Sequence, residues 1–469
     1  MLIQITVLLA GAFLLGLIKP GRRLLLLAAS ALAVFWLQPA TQPANLAFWL
    51  PAATLLASGV AWYITAAPEA RGWKRNGPAL LVLAGVILLV DLDRYLDPAY
   101  VFTVFSPRPP VLLAVLAGLG LLFLLISVSR KWQRVWLALA LAALLLAFVL
   151  VKAPALLDAL YARLAAPLSG PDQALLPALR WLGFSYIAFR LIHTIRDRQS
   201  GRLPALALDE YVTYVVFFPT LNAGPIDRAE RFVPELRQAP ALTQEDWVFV
   251  IRRVSFGLFK KFVLADTLAV FALNDSLARQ VHSPGWMWLA VYAYAFQIYF
   301  DFSGYTDLAI GMGRLLGFHL PENFSAPYLK PDIAQFWNNW HITLTHWFRA
   351  YYFNPLARSL RRARLPAWLG LALAQFSTML LIGLWHGFGW GYLLWGAWHG
   401  VGLFVHNRWS EAIRSREQAA PPSVLRHKLL VLAGVLLTFH FVALGWVFFA
   451  LSTPELAWRV LRVLFGVAS

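Results

Sequence analysis

The chain has 469 residues, of which 60% are hydrophobic and 13% charged, and it contains no cysteine. Soluble domains average roughly 45–50% apolar and about 25% charged, so this composition excludes an ordinary soluble fold and predicts an all-α polytopic membrane protein. The net charge of +17 does not argue for nucleic acid. Lysine and arginine punctuate apolar runs, as in inward-facing membrane loops, and no nucleic-acid-binding module accompanies them. Without cysteine the chain has no disulfide, no thiolate metal site and no cysteinyl-acyl intermediate.

A spanning helix needs about 20 apolar residues. Runs near that length cover 2–18, 24–38, 46–65, 79–92, 110–128 and 135–151. Met1 to Ile18 lacks the basic leader and small-residue cleavage site of a secretory signal and reads as a retained first span. Basic clusters (Lys19, Arg22, Arg23; Arg71, Lys74, Arg75; Arg130, Lys131, Arg134) alternate with an uncharged loop, 39–45, and an acidic one holding Asp91, Asp93 and Asp97. Positive loops lie inside, which predicts an extracytoplasmic N-terminus. A mixed loop, 152–175, leads to a strongly basic stretch from Arg190 to Arg202.

Beyond residue 200, Pro219, Pro225, Pro234 and Gly224 argue against a straight span. Tyr211 to Phe232 reads as a short membrane entry, a turn and a surface segment. Residues 247–273 form an interrupted apolar helix whose Arg252, Arg253, Lys260 and Lys261 make either a solvated edge or an attractor for an acidic donor. Residues 286–318 are long enough to span, with Asp301 and Tyr305 on one face and an expected pairing of Asp307 with Arg314. Pro331 to Phe353 is too polar for lipid contact. Such segments persist at membrane depth only when enclosed by protein or lining a cavity, which predicts interior or re-entrant helices. Spans follow at 366–385, 390–407 and 429–451, then an amphipathic tail at 455–466. The total comes to about eleven spanning helices. The expected division is 1–175 for the N-terminal spans, 176–410 for a catalytic core, and 411–469 for a last span and tail.

Ten histidines are present. His282, His319, His406 and His427 read as loop or interface residues, His193 as part of a basic loop, and His440 as a satisfied core residue. His399, flanked by Trp395 and Trp398, stays open. His341 and His386 each follow a tryptophan directly, where the chain leaves ordinary spanning character. A neutral imidazole there can accept a proton, as a general base for a hydroxyl must; from the residues alone, catalysis and structure are equally open for both. His386 lies 22 residues beyond Arg364, roughly 33 Å if helical. The hydrocarbon core is about 30 Å thick, so His386 falls toward the outer side.

Other chemistries fit poorly. His341 and His346 are five apart, not the four of a His-Glu-x-x-His helix, with no carboxylate between them, so no metal site is expected. Gly311-Met312-Gly313 opens no phosphate loop, and there is no Gly-x-Ser-x-Gly elbow. Ser303 can in principle take an acyl group, but nothing nearby in sequence activates it.

Four motifs follow in order: Asp301-Phe302-Ser303-Gly304-Tyr305, Pro321-Glu322-Asn323-Phe324, Phe336-Trp337 with Trp340-His341-Ile342-Thr343-Leu344, and Leu384-Trp385-His386-Gly387. Together with Phe217-Phe218-Pro219-Thr220 and Gly224-Pro225-Ile226-Asp227-Arg228, they make residues 180 to 405 resemble the membrane-bound O-acyltransferases. The likeness is to the bacterial branch that holds the teichoic acid D-alanyl transferase and the alginate O-acetyltransferase. The first 175 residues match only as hydrophobic spans. The resemblance implies re-entrant helices around a central funnel, with the catalytic histidine corresponding to His386 and a second important histidine to His341. It implies a bacterial cytoplasmic membrane location and acyl transfer from a cytoplasmic thioester to a hydroxyl outside. Two departures stand out. Arg349-Ala350-Tyr351 replaces a common Arg-Asp-Tyr, removing any bond the aspartate makes, and His346 stands where a small polar residue is common.

The expected activity is O-acyl transfer, acetyl first and D-alanyl from a small carrier protein second. Acetyl-coenzyme A or an acyl carrier protein would serve as co-substrate, with no permanently bound cofactor. His386 and His341 are the expected catalytic residues. Asn338, Asn339, Trp340, Trp385, Asp301, Tyr305 and Arg349 are the expected substrate-binding residues. The expected partners are the bilayer and an extracytoplasmic glycan or partner transferase, with no nucleic acid. A transporter or channel lined by the same polar residues is the alternative of another class, although no duplicated half-chain is visible. A non-catalytic scaffold for another transferase is a third.

Overall fold

Apolar runs that cannot satisfy their backbone from lipid must do so internally, and the helix is the local solution. In the computed structural model the runs fold accordingly. The description covers residues 1–39, 46–92, 107, 109–165, 180–419 and 423–467. Of the described residues 81% are helical, and none of them lies in a strand. Among the described residues six helices are long and apolar enough to cross a membrane: Leu46–Thr65, Trp73–Leu92, Pro110–Val128, Gln133–Lys152, Ala367–His386 and Val424–Ala450. The expected total of about eleven adds helices outside that measure, such as the short Leu2–Leu17 and Arg22–Trp36 and the more polar Pro284–Leu315 and Trp390–Ala419. Large apolar side chains such as Leu113, Leu124 and Val128 point outward. In water such a surface is a liability; for a membrane-embedded protein it is the lipid face. Most of the uncharged loop at 39–45, Asp93 and Asp97 of the acidic loop, and the end of the loop 152–175 lie outside the described residues.

The chain divides into two units, residues 1–251 with 309–320, and residues 252–308 with 321–469. In the first, the segment expected as membrane entry and surface is instead core. Every residue of the helix Leu208–Val216 is buried, and Phe217, Phe232 and Phe318 pack with ring centroids 4.5–4.9 Å apart. The reason is the aromatic content of the segment, which gains more from burial than the prolines cost. Arg190 is likewise buried, donating to the carbonyls of Val215 at 2.7 Å and Thr220 at 2.9 Å.

His193 lies on the helix Phe184–Gln199, fully buried, and not in a loop. Its Nε2 is 2.9 Å from Asp197 and 3.4 Å from Glu230. Its Nδ1 is 3.1 Å from the Tyr214 hydroxyl, which itself donates to the Asp227 carbonyl. With both ring nitrogens facing acceptors, the imidazolium is the form that fits. Burial opposes the charge, but the hydrogen bonds and charges of Asp197 and Glu230 outweigh it and raise the pKa above its ordinary value. The ligand atoms of His193, Asp197 and Glu230 lie within 4.8 Å of one another. Arg202 and Arg228 already pair with Asp197, and Arg228 with Glu230, so a cation there would face two guanidiniums.

In the second unit, acidic and basic residues of neighbouring helices neutralise one another. Arg253 and Lys260 both pair with the buried Asp307, Arg253 also reaches Glu322, and Lys261 pairs with Asp301. This replaces both expectations for the basic cluster, except that Arg252 is exposed. It also corrects the pairing of Asp307 with Arg314, since Arg314 pairs with Asp246 at 3.1 Å. Helix-to-helix pairing wins because a lone charge at that depth is far more costly than a paired one. The helices Ala367–His386 and Trp390–Ala419 touch backbone to backbone: a Cβ at Gly396 would lie 2.6 Å from the Met379 carbonyl oxygen.

Two outcomes check this description. Gly396→Ala forces the two helices apart and should lower the melting temperature of the purified protein by the equivalent of about 1–3 kcal/mol. For His193, a raised folded pKa means its stabilisation is complete below about 6.5 and is lost as pH rises through the folded value. The melting temperature should therefore decline on raising pH above neutrality, and His193→Gln should flatten that slope.

Candidate functional site

The second unit contains all nine residues expected at the site. The polar segment 331–353 forms two seven-residue helices, Ile333–Asn339 and Ile342–Phe348, followed by a π-helical turn, Arg349–Phe353. Asp332 starts the first by accepting from the Gln335 amide at 2.8 Å. Between them His341 takes the left-handed conformation, φ 42°. A non-glycine residue there is strained, and such strain persists only where the surroundings over-determine it.

Asn323 supplies those surroundings. It is completely buried, and its backbone carbonyl accepts from the Ile342 amide at 2.9 Å. Its side-chain oxygen accepts from the Thr343 hydroxyl at 2.6 Å and the Thr343 amide at 3.4 Å. The amides that open the second helix, which have no intrahelical acceptor, are thus satisfied across the break. An isolated antiparallel bridge between Phe324 and Trp340 and a bond from the Ser325 amide to the Asn339 carbonyl (3.1 Å) extend the clamp. Asn323 stands in the motif Pro321-Glu322-Asn323-Phe324, whose residues in sequence assign it no role. Its signal is a buried amide beside a strained turn, which no linear pattern reveals.

His341 is 3% exposed and His386 half-buried. They approach the same residue: the Trp385 ring is 5.9 Å from His341 and 4.4 Å from His386. Phe302 covers His341 edge-on at 4.7 Å. Around His386 stand Phe449 at 4.8 Å, Trp395 at 5.6 Å and Tyr392 at 6.0 Å. Tryptophan, phenylalanine and tyrosine thus exclude solvent from most of both imidazoles.

The other expected residues separate. Asn338 accepts from Arg349 at 2.5 Å, and the pair borders a cavity of about 170 Å³ lined also by Trp337, Gln375, Thr378 and Met379. The Asn339 amide is spent on the Gln335 carbonyl at 2.8 Å. Trp340 is buried in an aromatic cluster with Phe324, Tyr328, Phe336 and Trp446. Asp301 is exposed and paired with Lys261, while Tyr305, half-buried, sits one turn further along the helix Pro284–Leu315. The Ser303 hydroxyl is buried and makes no hydrogen bond to any described residue.

Comparison with known proteins agrees with the motifs. Residues 179–423 match the membrane-bound O-acyltransferase family. The chain is 37% identical over 286 residues to the probable alginate O-acetylase AlgI of Pseudomonas aeruginosa, covering 61% of this chain and 51% of that one. It is 37% identical over 262 residues to the peptidoglycan O-acetyltransferase of Helicobacter pylori, covering 55% and 47%. To the teichoic acid D-alanyltransferase of Streptococcus thermophilus it is 29% identical over 286 residues, covering 58% and 68%. The chain thus spans about half the length of the first two of these curated relatives. With the family match extending over more than half of its residues, the chain belongs to the membrane-bound O-acyltransferase family.

Proposed function

We propose that this chain transfers an acyl group, acetyl first, from a thioester donor on the cytoplasmic side to a hydroxyl of a cell-surface or exported polysaccharide. The observation that carries the reading is the approach of His341 and His386, 45 positions apart in sequence, to the two sides of one contact network centred on Trp385. Similarity to an alginate O-acetylase and a peptidoglycan O-acetyltransferase supports acetyl. Similarity to a teichoic acid D-alanyltransferase supports D-alanyl from a carrier protein as the second choice. The proposed catalytic segment is 176–410, between N-terminal spans 1–175 and the C-terminal part 411–469. The proposed setting is a bacterial cytoplasmic membrane with the N-terminus outside.

His386, the more accessible imidazole, takes the proton of the acceptor hydroxyl as its oxygen attacks the thioester carbonyl carbon. The tetrahedral intermediate collapses, the carbon–sulfur bond breaks, and the departing thiolate takes the proton back from the imidazole. Ester and free thiol result, and atoms balance without a further reactant. His341, enclosed and held by Asn323, orients the substrate or stabilises the oxyanion, as does Asn338, whose position with Arg349 at a cavity favours it over Asn339. Direct transfer without an acyl-enzyme agrees with the absence of cysteine and with a Ser303 hydroxyl that makes no hydrogen bond to any described residue.

In proteoliposomes given radiolabelled acetyl-coenzyme A and a polysaccharide acceptor, label should move to the polymer. His386→Ala should lower that rate about 10²–10⁴-fold with an unchanged melting temperature; a folded variant working at the native rate would remove His386 from the mechanism. Asn323→Ala keeps the backbone carbonyl that accepts from Ile342 but removes the side-chain oxygen that accepts from Thr343. It should lower stability by about 1–3 kcal/mol, read as a lower melting temperature, and reduce transfer as well.

A further inference from the structure

The sequence context of His399 assigns it no role, and proton transfer by His386 does not require it. Its side chain is 0% exposed, on the helix Trp390–Ala419. The rings of Trp395 and Trp337 lie 5.0 Å and 5.2 Å from it and 5.7 Å from each other, so the three form a closed triangle. Trp395 is also the ring that meets His386 edge-on at 5.6 Å. The helix Val424–Ala450 closes the far side so tightly that a Cβ at Gly445 would lie 2.9 Å from His399 Nε2.

Both His399 nitrogens and the indole nitrogens of Trp337 and Trp395 are buried and make no hydrogen bond to any described residue. His440 in the same unit has partners on both ring nitrogens, 2.8 Å from the Tyr292 hydroxyl and 2.7 Å from the Leu436 carbonyl. Four unsatisfied buried nitrogens in three touching rings are costly for the fold and rare in native interiors. A neutral imidazole supplies one donor and one acceptor, and each indole one donor. The triangle therefore offers three donors against one acceptor, and what complements it is an oxygen.

We propose that His399, with Trp337 and Trp395, receives a substrate oxygen, that of the thioester carbonyl or of the acceptor hydroxyl, beside His386 during transfer. This rests on the acyl-transfer reading of His386. The physical signature is a separation of stability from activity. Replacing a buried, unsatisfied polar group by an apolar one of similar shape is neutral or stabilising for the fold, whereas a substrate that loses its partner reacts more slowly.

The test uses the full chain in lipid nanodiscs, measuring melting temperature with and without acetyl-coenzyme A, together with kcat and KM. His399→Phe should melt at or above the native temperature, yet lose at least tenfold in kcat/KM. His399→Gln, which restores a donor and an acceptor, should recover part of the loss. Trp395→Phe, which keeps a ring but drops the N–H, should show a smaller loss. Native kinetics for His399→Phe beside an inactive His386→Ala would overturn the inference and leave the acyl-transfer reading intact. So would a His399→Phe variant whose basal melting temperature falls while its shift with acetyl-coenzyme A is unchanged, the behaviour of a site for a structural water. A fully active His386→Ala would instead overturn the reading on which this one rests.

Discussion

A chain interrupted in an apolar interior leaves backbone amides that neither lipid nor a continuing helix can satisfy. Here the interruption falls at His341, and Asn323 meets the need from another part of the chain, with its carbonyl on Ile342 and its side-chain oxygen on Thr343. Without that clamp the left-handed His341 would relax, and the imidazole would lose its place between Phe302 and Trp385. The rest of the arrangement depends on this small set of hydrogen bonds. It converts what would be a defect in a helix into a fixed direction for one side chain.

Around that point aromatic side chains do what a soluble enzyme does with a closed lid. Rings from the helices ending at His386 and beginning at Trp390 enclose the imidazoles and leave His386 only partly accessible. Exclusion of water strengthens every electrostatic interaction within such a site. Helices close enough to touch through backbone atoms give the rings fixed positions, because a packed interior has few alternative arrangements.

Charges in the same unit obey a different requirement. Asp307 and Asp301 each hold basic side chains from the segment 253–261, so residues that look from sequence like a binding edge neutralise one another. His399 differs from them all: its nitrogens are buried without a hydrogen bond to any described residue, on a triangle of rings that reaches His386 through Trp395. The charged groups of this cluster are paired, whereas the His399 triangle is not, which is the distinction expected between scaffold and site.

Sequence by itself settled the membrane class and most helix bounds, and it singled out the two histidines that the proposed mechanism uses. These follow from composition and local pattern: apolar length determines a span, and a tryptophan–histidine pair at the end of one is visible in the linear chain. It also sufficed for the family, whose motifs are contiguous. It misread the partners of Asp307 and Arg314, the burial of much of 211–232 and the place of His193, because pairing at a distance is decided by which helices meet. Asn323 as a clamp and His399 within a triangle of unpaired nitrogens belong to the same category. A left-handed residue, a satisfied amide and an unsatisfied imidazole are properties of surroundings assembled from distant segments, and only the tertiary structure brings those segments together.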